Sequence, residues 1–458
     1  ASDGVVSERK EHWNKQPVFR HFDPWDIIPR HGPGAVSTGE KLWEKWRWKQ
    51  IPTAITDVYP LDAYFYASLG HVCDAYRGSS SHEVALVSTE YECRIDTPPA
   101  KVVLVPKDSR GPRLISCECL ANQFIQQGLG RAITEWVEHH PLTRYNVRFT
   151  DQGPNGFAAI QGSKHGRYAT LDLNEASDRV SLELVRLLFP EWLIPFLECC
   201  RSHSTMLPSG QVIKLRKFAP MGSALCFPIL ALTVWSLAQV VCTTREEYES
   251  LYVYGDDVIT PTARAEDIMN TLESFGLKIN RDKSCFQGFF RESCGVDAFK
   301  GIDVTPVRLR TVWNSSTKSA DEFVSWVEYS NSLYELGYYE AADVIASELV
   351  RKYGPIPSRA EVGRSAPALL CLDGSVSNVR RRRNERFQNL QYLCLCPMPA
   401  TVRRRLDEWS MIHRFLSERD HGVARNSVEG QWDHEKVSWN QSSLYTHRRR
   451  SMLRRRWR

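Results

Sequence analysis

The chain has 458 residues, 42% of them hydrophobic, which is enough for a large core and points to two or three structural units. A formal net charge of +5 excludes a chain swamped by one sign of charge. No run of about eighteen apolar residues is present to span a bilayer, and "ASDGVVSERKEHWNKQ" lacks an apolar signal core, so a soluble intracellular protein is expected.

The first ninety or so residues are rich in Trp and Pro, with a glycine-proline break at "PRHGPGAV". In "KLWEKWRWKQ" the spacing of Leu42, Trp43 and Trp46 suits one buried helix face. "KVVLVPKDSRGPRLIS" reads as two strands joined by a basic turn from Lys107 to Arg113, and "NQFIQQGLGRAITEWVEHH" as a helix.

"RYATLDLNEASDRVSLELVRLLF" changes period midway, from strand to helix. Asp172 then sits near the strand's C-terminal end, and Ser177 or Asp178 at the helix start as N-cap. "PSGQVIKLRKFAPMGSALCFPILALTVWSLAQVV" reads as a glycine-containing loop and a long apolar helix beginning near Met221. Gly222 and Ser223 would lie at its N-terminus, where unpaired N–H groups favour a phosphate or sugar.

"LYVYGDDVIT" reads as a hairpin with Asp256 and Asp257 at its turn, followed by a helix "AEDIMNTLESFG", then "LKINRDKSCF", then a second hairpin-like region "FRESCGVDAFKGIDVTPVRLR". From about Thr311 helical patterning dominates and leads to a basic tail. Arginine clusters at "VRRRRNERF", "TVRRRLDEW" and "HRRRSMLRRRWR", with aromatic residues nearby, suit phosphate binding and base stacking as well as a solvated face. The 13 cysteines lack C-x-x-C spacing and read as reduced, mostly structural thiols.

Two adjacent carboxylates in a tight turn fit an ordinary polar hairpin. If the Asp172 strand lies beside the hairpin, three carboxylates meet, and their mutual repulsion is costly unless a divalent cation removes it. Two Mg²⁺ ions about 4 Å apart activate an attacking hydroxyl and stabilise a leaving oxygen in phosphoryl transfer. Lys107, Arg110 and Arg113 would then suit a triphosphate.

The order of these segments resembles viral RNA-dependent RNA polymerases, with motifs F, A, B, C, D and E at "KVVLVPKDSRGPRLI", "TLDLNEASD", "APMGSALCF", "YGDD", "LKINRDKS" and "FRESCG". "DLNEASD", "FRESCG" followed by "GIDVTP", and "HGPGA" resemble the replicase subunit of leviviruses, the single-stranded RNA bacteriophages. The likeness runs from about residue 30 to 310.

The resemblance implies an α/β (α+β) right-hand polymerase with an antiparallel palm sheet carrying the GDD hairpin. The N-terminal region and fingers would occupy residues 1–163. The palm would occupy 164–310, with part of the fingers inserted around 190–220, and the thumb and basic C-terminal region 311–458. It implies two Mg²⁺ ions, with Mn²⁺ as substitute, on Asp172 and Asp256, with Asp257 as the neighbouring carboxylate. Asp178 would read the ribose hydroxyls, Gly222 and Ser223 would support template and nucleotide, and Lys107, Arg110 and Arg113 would face the incoming triphosphate. Lys283 would protonate the departing pyrophosphate, with Lys278 its rival.

The implied partners are an RNA template and product, ribonucleoside triphosphates, and, as in some phages, host translation elongation factors and a ribosomal protein, with no membrane. The implied setting is the cytoplasm of an infected bacterial host, with initiation needing no primer. Cys226 and Leu230 stand where many viral polymerases carry threonine and asparagine, so ribose selection would fall to Asp178 with Ser223. "MGSALCFPIL" looks closer to narnavirus- and ourmiavirus-like relatives. A reverse transcriptase-like polymerase is the nearest rival, although Gly255 replaces its usual apolar residue, and a nonenzymatic RNA-binding protein is the rival of another class.

Overall fold

The computed structural model describes residues 18–42, 44–45, 48, 50–65, 94–108, 111–370, 378–405 and 445–458. The chain divides into two compact units, Ala1–Thr305 and Pro306–Arg458. Among the described residues no helix is long and apolar enough to cross a membrane, and every described cysteine is a free thiol. Trp43 and Trp46, expected on a helix face, lie outside the described residues.

In the first unit the basic segment forms an antiparallel hairpin, β1 (Ala100–Asp108) and β2 (Gly111–Cys117), with Val105 opposite Arg113. The connection is shorter than expected, because β1 runs to Asp108 and β2 starts at Gly111, so Lys107 and Arg113 lie within strands. Helix α1 (Leu120–His139) comes next, burying Leu120, Phe124, Ile125, Leu129, Ile133 and Val137 along one stripe. It stops at His140, whose extended backbone is what the next residue, Pro141, enforces.

Helix α2 (Gly153–His165) packs Ala158 and Ala159 against Ile259. Strand β3 (Tyr168–Leu171) then ends immediately before Asp172. The expected continuous helix after it is broken. Glu175 takes a left-handed φ of 53°, Ala176–Arg179 makes one turn, and Val180 is extended. Helix α3 (Leu182–Leu188) has Ser181 as N-cap, its Oγ accepting from Leu184 N at 3.1 Å. The cap is therefore Ser181, not Ser177 or Asp178.

Strands β4 (Ser204–Met206) and β5 (Val212–Lys214) extend the basic hairpin into a four-stranded sheet, β2-β1-β4-β5, with β1 parallel to β4. Helix α4 (Cys226–Gln239) starts five residues later than expected, since Gly222 holds a φ of 126° that no helix admits. Its residues from Pro228 to Ala238 are buried on every side, as in a central core helix.

Strands β6 (Tyr252–Tyr254) and β7 (Asp257–Pro261) form the expected hairpin. β3 pairs antiparallel with β7, so the sheet order is β3-β7-β6. Helix α5 (Ala265–Ser274) buries Ala265, Ile268, Met269 and Leu272, the spacing of one face. Strands β8 (Phe290–Ser293), β9 (Val296–Phe299) and β10 (Ile302–Asp303) make a separate antiparallel sheet.

The second unit packs helices α6 (Ala320–Glu335) and α7 (Tyr339–Tyr353) around Phe323, Val327, Leu349, Tyr353 and Ile356. Beyond these helices the chain forms strands where helix was expected: β11 (Arg381–Asn384), β12 (Asn389–Arg405) and β13 (Tyr445–Trp457) make an antiparallel sheet in that order. Arginine runs carry no hydrophobic period, so their strand state comes from pairing with the apolar β12 segment "YLCLC".

Candidate active site

The β3-β7-β6 sheet sets the first geometry. Leu171 stands opposite Val258, which places Asp172 at the next register position beside Asp257. Tyr254 pairs with Asp257 and leaves Gly255 and Asp256 as the two-residue turn. Gly255 has a φ of 65°, favourable to glycine at the first central position. A Cβ there would also lie 2.1 Å from Phe227 Cε2. Turn geometry and packing thus require the same residue.

Asp256 is exposed at the turn, while Asp257 is half-buried. Burial pushes the Asp257 carboxyl up to about 6, and the negative charges of Asp256, Glu292 and Asp172 push the same way against a hydrogen bond from Cys294. Burial is the larger cause, and the neighbouring carboxylates add to it.

Asp172 is held by the segment after α5, which runs beside it through bridges Thr170–Cys285 and Leu173–Ile279. Asn280 Nδ2 donates to Asp172 Oδ2 at 2.6 Å, and Asn280 N donates to the Asp172 carbonyl at 2.8 Å. Lys283 Nζ lies 3.8 Å from the same Oδ2. Lys278, its rival, is exposed, and its carbonyl accepts from Asn174 N at 2.8 Å. The Glu292 carboxyl is raised by burial and by Asp297 and Asp172, and lowered by Lys283.

Asp178 occupies the one-turn helix and accepts from Lys217 Nζ at 2.5 Å. Beside this pair lies Cys226, the first residue of α4, its thiol pushed up to about 11 by burial against a hydrogen bond from Ser177. The charges of Asp178, Lys217 and Asp256 all act on that thiol. Leu230 is buried in the core.

Gly222 is fixed by packing: a Cβ would meet the Ser116 carbonyl oxygen at 2.2 Å. Ser116 N donates to the Met221 carbonyl at 2.8 Å, which ties β2, the strand of Arg113, to the Gly222 loop. Ser223 is buried, and its Oγ accepts from Leu225 N at 3.3 Å. Both precede the helix and so do not offer its terminal N–H groups as expected. Arg113 is exposed. Arg110 and the side chain of Lys107 lie outside the described residues.

Asp172, Asp257 and Lys283 are therefore brought together with Asp256 at the adjoining turn, and Asp178 is paired with Lys217. Sequence reasoning missed Asn280, Glu292 and Lys217. "LKINRDKS" and "FRESCG" stand out as motifs, but nothing in a single chain reveals which polar residue in each turns inward. The "HGPGA" loop has a structural anchor, since the buried Lys45 Nζ donates to the Gly32 carbonyl at 2.7 Å and to that of Gly34 at 2.5 Å.

Among the described residues no group of three or more His, Cys, Asp or Glu side chains converges as a metal cage. The donor set that is present, Asp172 beside a raised Asp257 carboxyl, fits a hard divalent cation that takes one or two protein carboxylates and completes its shell with water and substrate phosphates.

Residues 73–318 match the family model "RNA replicase, beta-chain". The chain is 38% identical over 211 residues to the RNA-directed RNA polymerase subunit beta of Qbeta virus (strain MX1), covering 46% of this chain and 35% of that protein. It is 32% identical over 209 residues to the RNA-directed RNA polymerase beta chain of Escherichia phage MS2, covering 46% and 37%. The match thus spans little more than a third of the length of these curated relatives. The RNA-dependent RNA polymerase of a human picorbirnavirus aligns in structure with a TM-score of 0.39 and 13% identity over 56% of this chain and 57% of that one, a likeness too slight to place the fold. By the family match over more than half its length, the chain belongs to the RNA replicase beta-chain family.

Proposed function

We propose that this chain is an RNA-directed RNA polymerase, copying single-stranded RNA from ribonucleoside triphosphates inside an infected host cell. The observation that carries this reading is the pairing of β3 with β7, which sets Asp172 beside Asp257 at the end of a hairpin whose turn holds Asp256. A nonenzymatic RNA-binding role leaves that gathering of carboxylates, and its raised Asp257, without a purpose.

In this reading the β3-β7-β6 sheet is the palm of a right-hand polymerase, the basic hairpin β1–β2 belongs to the fingers, and the second unit supplies the thumb. Asp172 and Asp256, with Asp257 beside them, would hold Mg²⁺, with Mn²⁺ as substitute. When bound, the ions neutralise the carboxylates, activate the attacking hydroxyl and stabilise the leaving oxygen. Asn280 fixes the Asp172 carboxylate by its 2.6 Å hydrogen bond. Lys283 gives a proton to the pyrophosphate oxygen, a role supported by its Nζ lying 3.8 Å from Asp172 Oδ2.

Asp178, oriented by Lys217, reads the ribose hydroxyls, with Ser223 and Gly222 shaping the floor on which template and nucleotide rest. Arg113, with Lys107 and Arg110, meets the triphosphate. Host elongation factors and a ribosomal protein are proposed partners on family resemblance alone. The test is template dependence: purified chain, a short RNA and labelled ribonucleotides should yield product complementary to the template, and EDTA should stop it. Product formed equally without template would reject the assignment.

A further inference from the structure

The second unit's sheet lies beyond the family match at residues 73–318. Its described stretches, 378–405 and 445–458, carry fifteen arginines and a single acid, Glu385. Strand pairing sorts these arginines by face. Opposite residues of an antiparallel pair share a face, and alternate residues of a strand share a face.

On one face, Gln391, Leu393 and Leu395 of β12 stand opposite Arg382, Trp457 and Arg455. These arginines are engaged within the protein. The Arg382 guanidinium lies 4.4 Å from the Trp457 ring centroid and donates to Gln391 Oε1, and Arg455 Nη2 donates to the Tyr353 carbonyl at 3.4 Å.

On the other face, Leu390, Tyr392, Cys394 and Cys396 stand opposite Arg383, Arg381, Arg456 and Arg454. All four arginines are exposed, and among the described residues none has a side-chain hydrogen bond or ion pair. Along β12 their rows succeed one another every two residues, or about 6.7 Å, and span about 20 Å, with Arg381 and Arg383 on one side of β12 and Arg454 and Arg456 on the other. Leu390 and Met452 lie on this face, 49% and 45% exposed. Phe387, at the turn that joins β11 to β12, is 67% exposed under the Arg386 guanidinium.

We infer that this face is a sequence-independent binding track for single-stranded RNA. Two exposed guanidinium groups on β11 and two on β13, on either side of β12, suit phosphates of one strand that crosses the sheet obliquely. Cys394 and Cys396 between the two pairs are buried, and it is the exposed Leu390, Met452 and Phe387 flanking them that suit unstacked bases, which a duplex would keep hidden. The inference rests on the reading that this chain works on RNA, and adds a second contact independent of the carboxylate site.

The test is fluorescence anisotropy of a 5′-labelled 20-residue oligouridylate with the full chain. The quadruple variant Arg381→Gln, Arg383→Gln, Arg454→Gln, Arg456→Gln should bind at least about tenfold more weakly, with a slope of log affinity against log salt flatter by about 3. The corresponding lysine variant should keep nearly the wild-type slope. Unchanged affinity and slope in the glutamine variant overturn the inference. So does tighter binding of a duplex of the same length, or loss of binding to anionic phospholipid vesicles with RNA affinity intact.

Should the glutamine variant fail to fold, phenylglyoxal modification of the wild-type chain, read by mass spectrometry, decides: the oligonucleotide should protect these four arginines, and equal labelling with and without it rejects the track. Asp256→Asn separates the two readings, since it should abolish synthesis while leaving this salt slope in place.

Discussion

Lys283 reaches Asp172 from a segment that contains another lysine five residues earlier, and only Lys283 is seated at the carboxylate, Nζ to Oδ2 3.8 Å. The separation arises from the bridge between Leu173 and Ile279, which aligns the two segments and leaves Lys278 on the exposed side. One lysine thereby lies beside the Asp172 carboxylate and the other is exposed.

Replacing Lys283 with alanine should therefore slow nucleotide addition by about 100-fold, the lower range for loss of a general acid, and flatten the alkaline limb of the pH–rate profile. Lys278→Ala should leave the rate near wild type. Single-turnover incorporation measures both, and a larger defect in the Lys278 variant would reverse the assignment.

The Asp178–Lys217 pair is partly exposed, at 45% and 24% of the side chains, so it adds little to stability, under about 1 kcal/mol. Its effect should appear in selectivity. Asp178→Ala should cut the preference for ribo- over deoxyribonucleotides by about tenfold or more, the worth of a hydrogen bond to a charged group. Competition between the two nucleotide types measures this. Unchanged preference in an active enzyme moves the role elsewhere.

Asp257 makes a pH prediction whose sign is fixed. Its folded carboxyl titrates at about 6, above the ordinary 3.8, so the folded chain holds a proton that the unfolded chain has released. Without divalent cations the stability contributed by this group is present at low pH and is lost as pH rises from about 4 to about 6. Asp257→Asn should remove that loss, and Mg²⁺ should raise the melting temperature at pH 7 for wild type more than for the variant. Parallel melting curves across pH would contradict the raised Asp257 carboxyl.

Gly222→Ala should destabilise the first unit by at least about 2 kcal/mol, since the new Cβ meets Ser116 O at 2.2 Å on a backbone with φ of 126°. Gly34→Ala, with nothing within 4 Å, should be nearly neutral. Urea unfolding separates the two, and equal midpoints would refute the packing argument.

What the sequence made legible was local. The "LYVYGDDVIT" hairpin, the strand before Asp172 and the stripes of α1 and α5 each carry their own period or turn residue. The misreadings arose where two local signals competed. Ser177, Asp178 and Ser181 are all fair caps, and the backbone break at Val180 chose Ser181. The "APMGSAL" stretch reads as continuous with the apolar helix until the contact of Gly222 with Ser116 is known. The arginine strands were hidden because their pairing partner lies up to about sixty residues away in sequence, as Leu393 does from Trp457. Asn280 and Lys217 were hidden for the same reason: each meets its aspartate only through tertiary contacts.

The most direct measurement is incorporation of labelled ribonucleotides on a short RNA template by the purified chain with Mg²⁺, run beside Asp256→Asn. The expected result is template-complementary product from the wild type and none from the variant, with RNA affinity retained by both. Product from Asp256→Asn at the wild-type rate would contradict the assignment of the β3–β7 carboxylates as the polymerase centre.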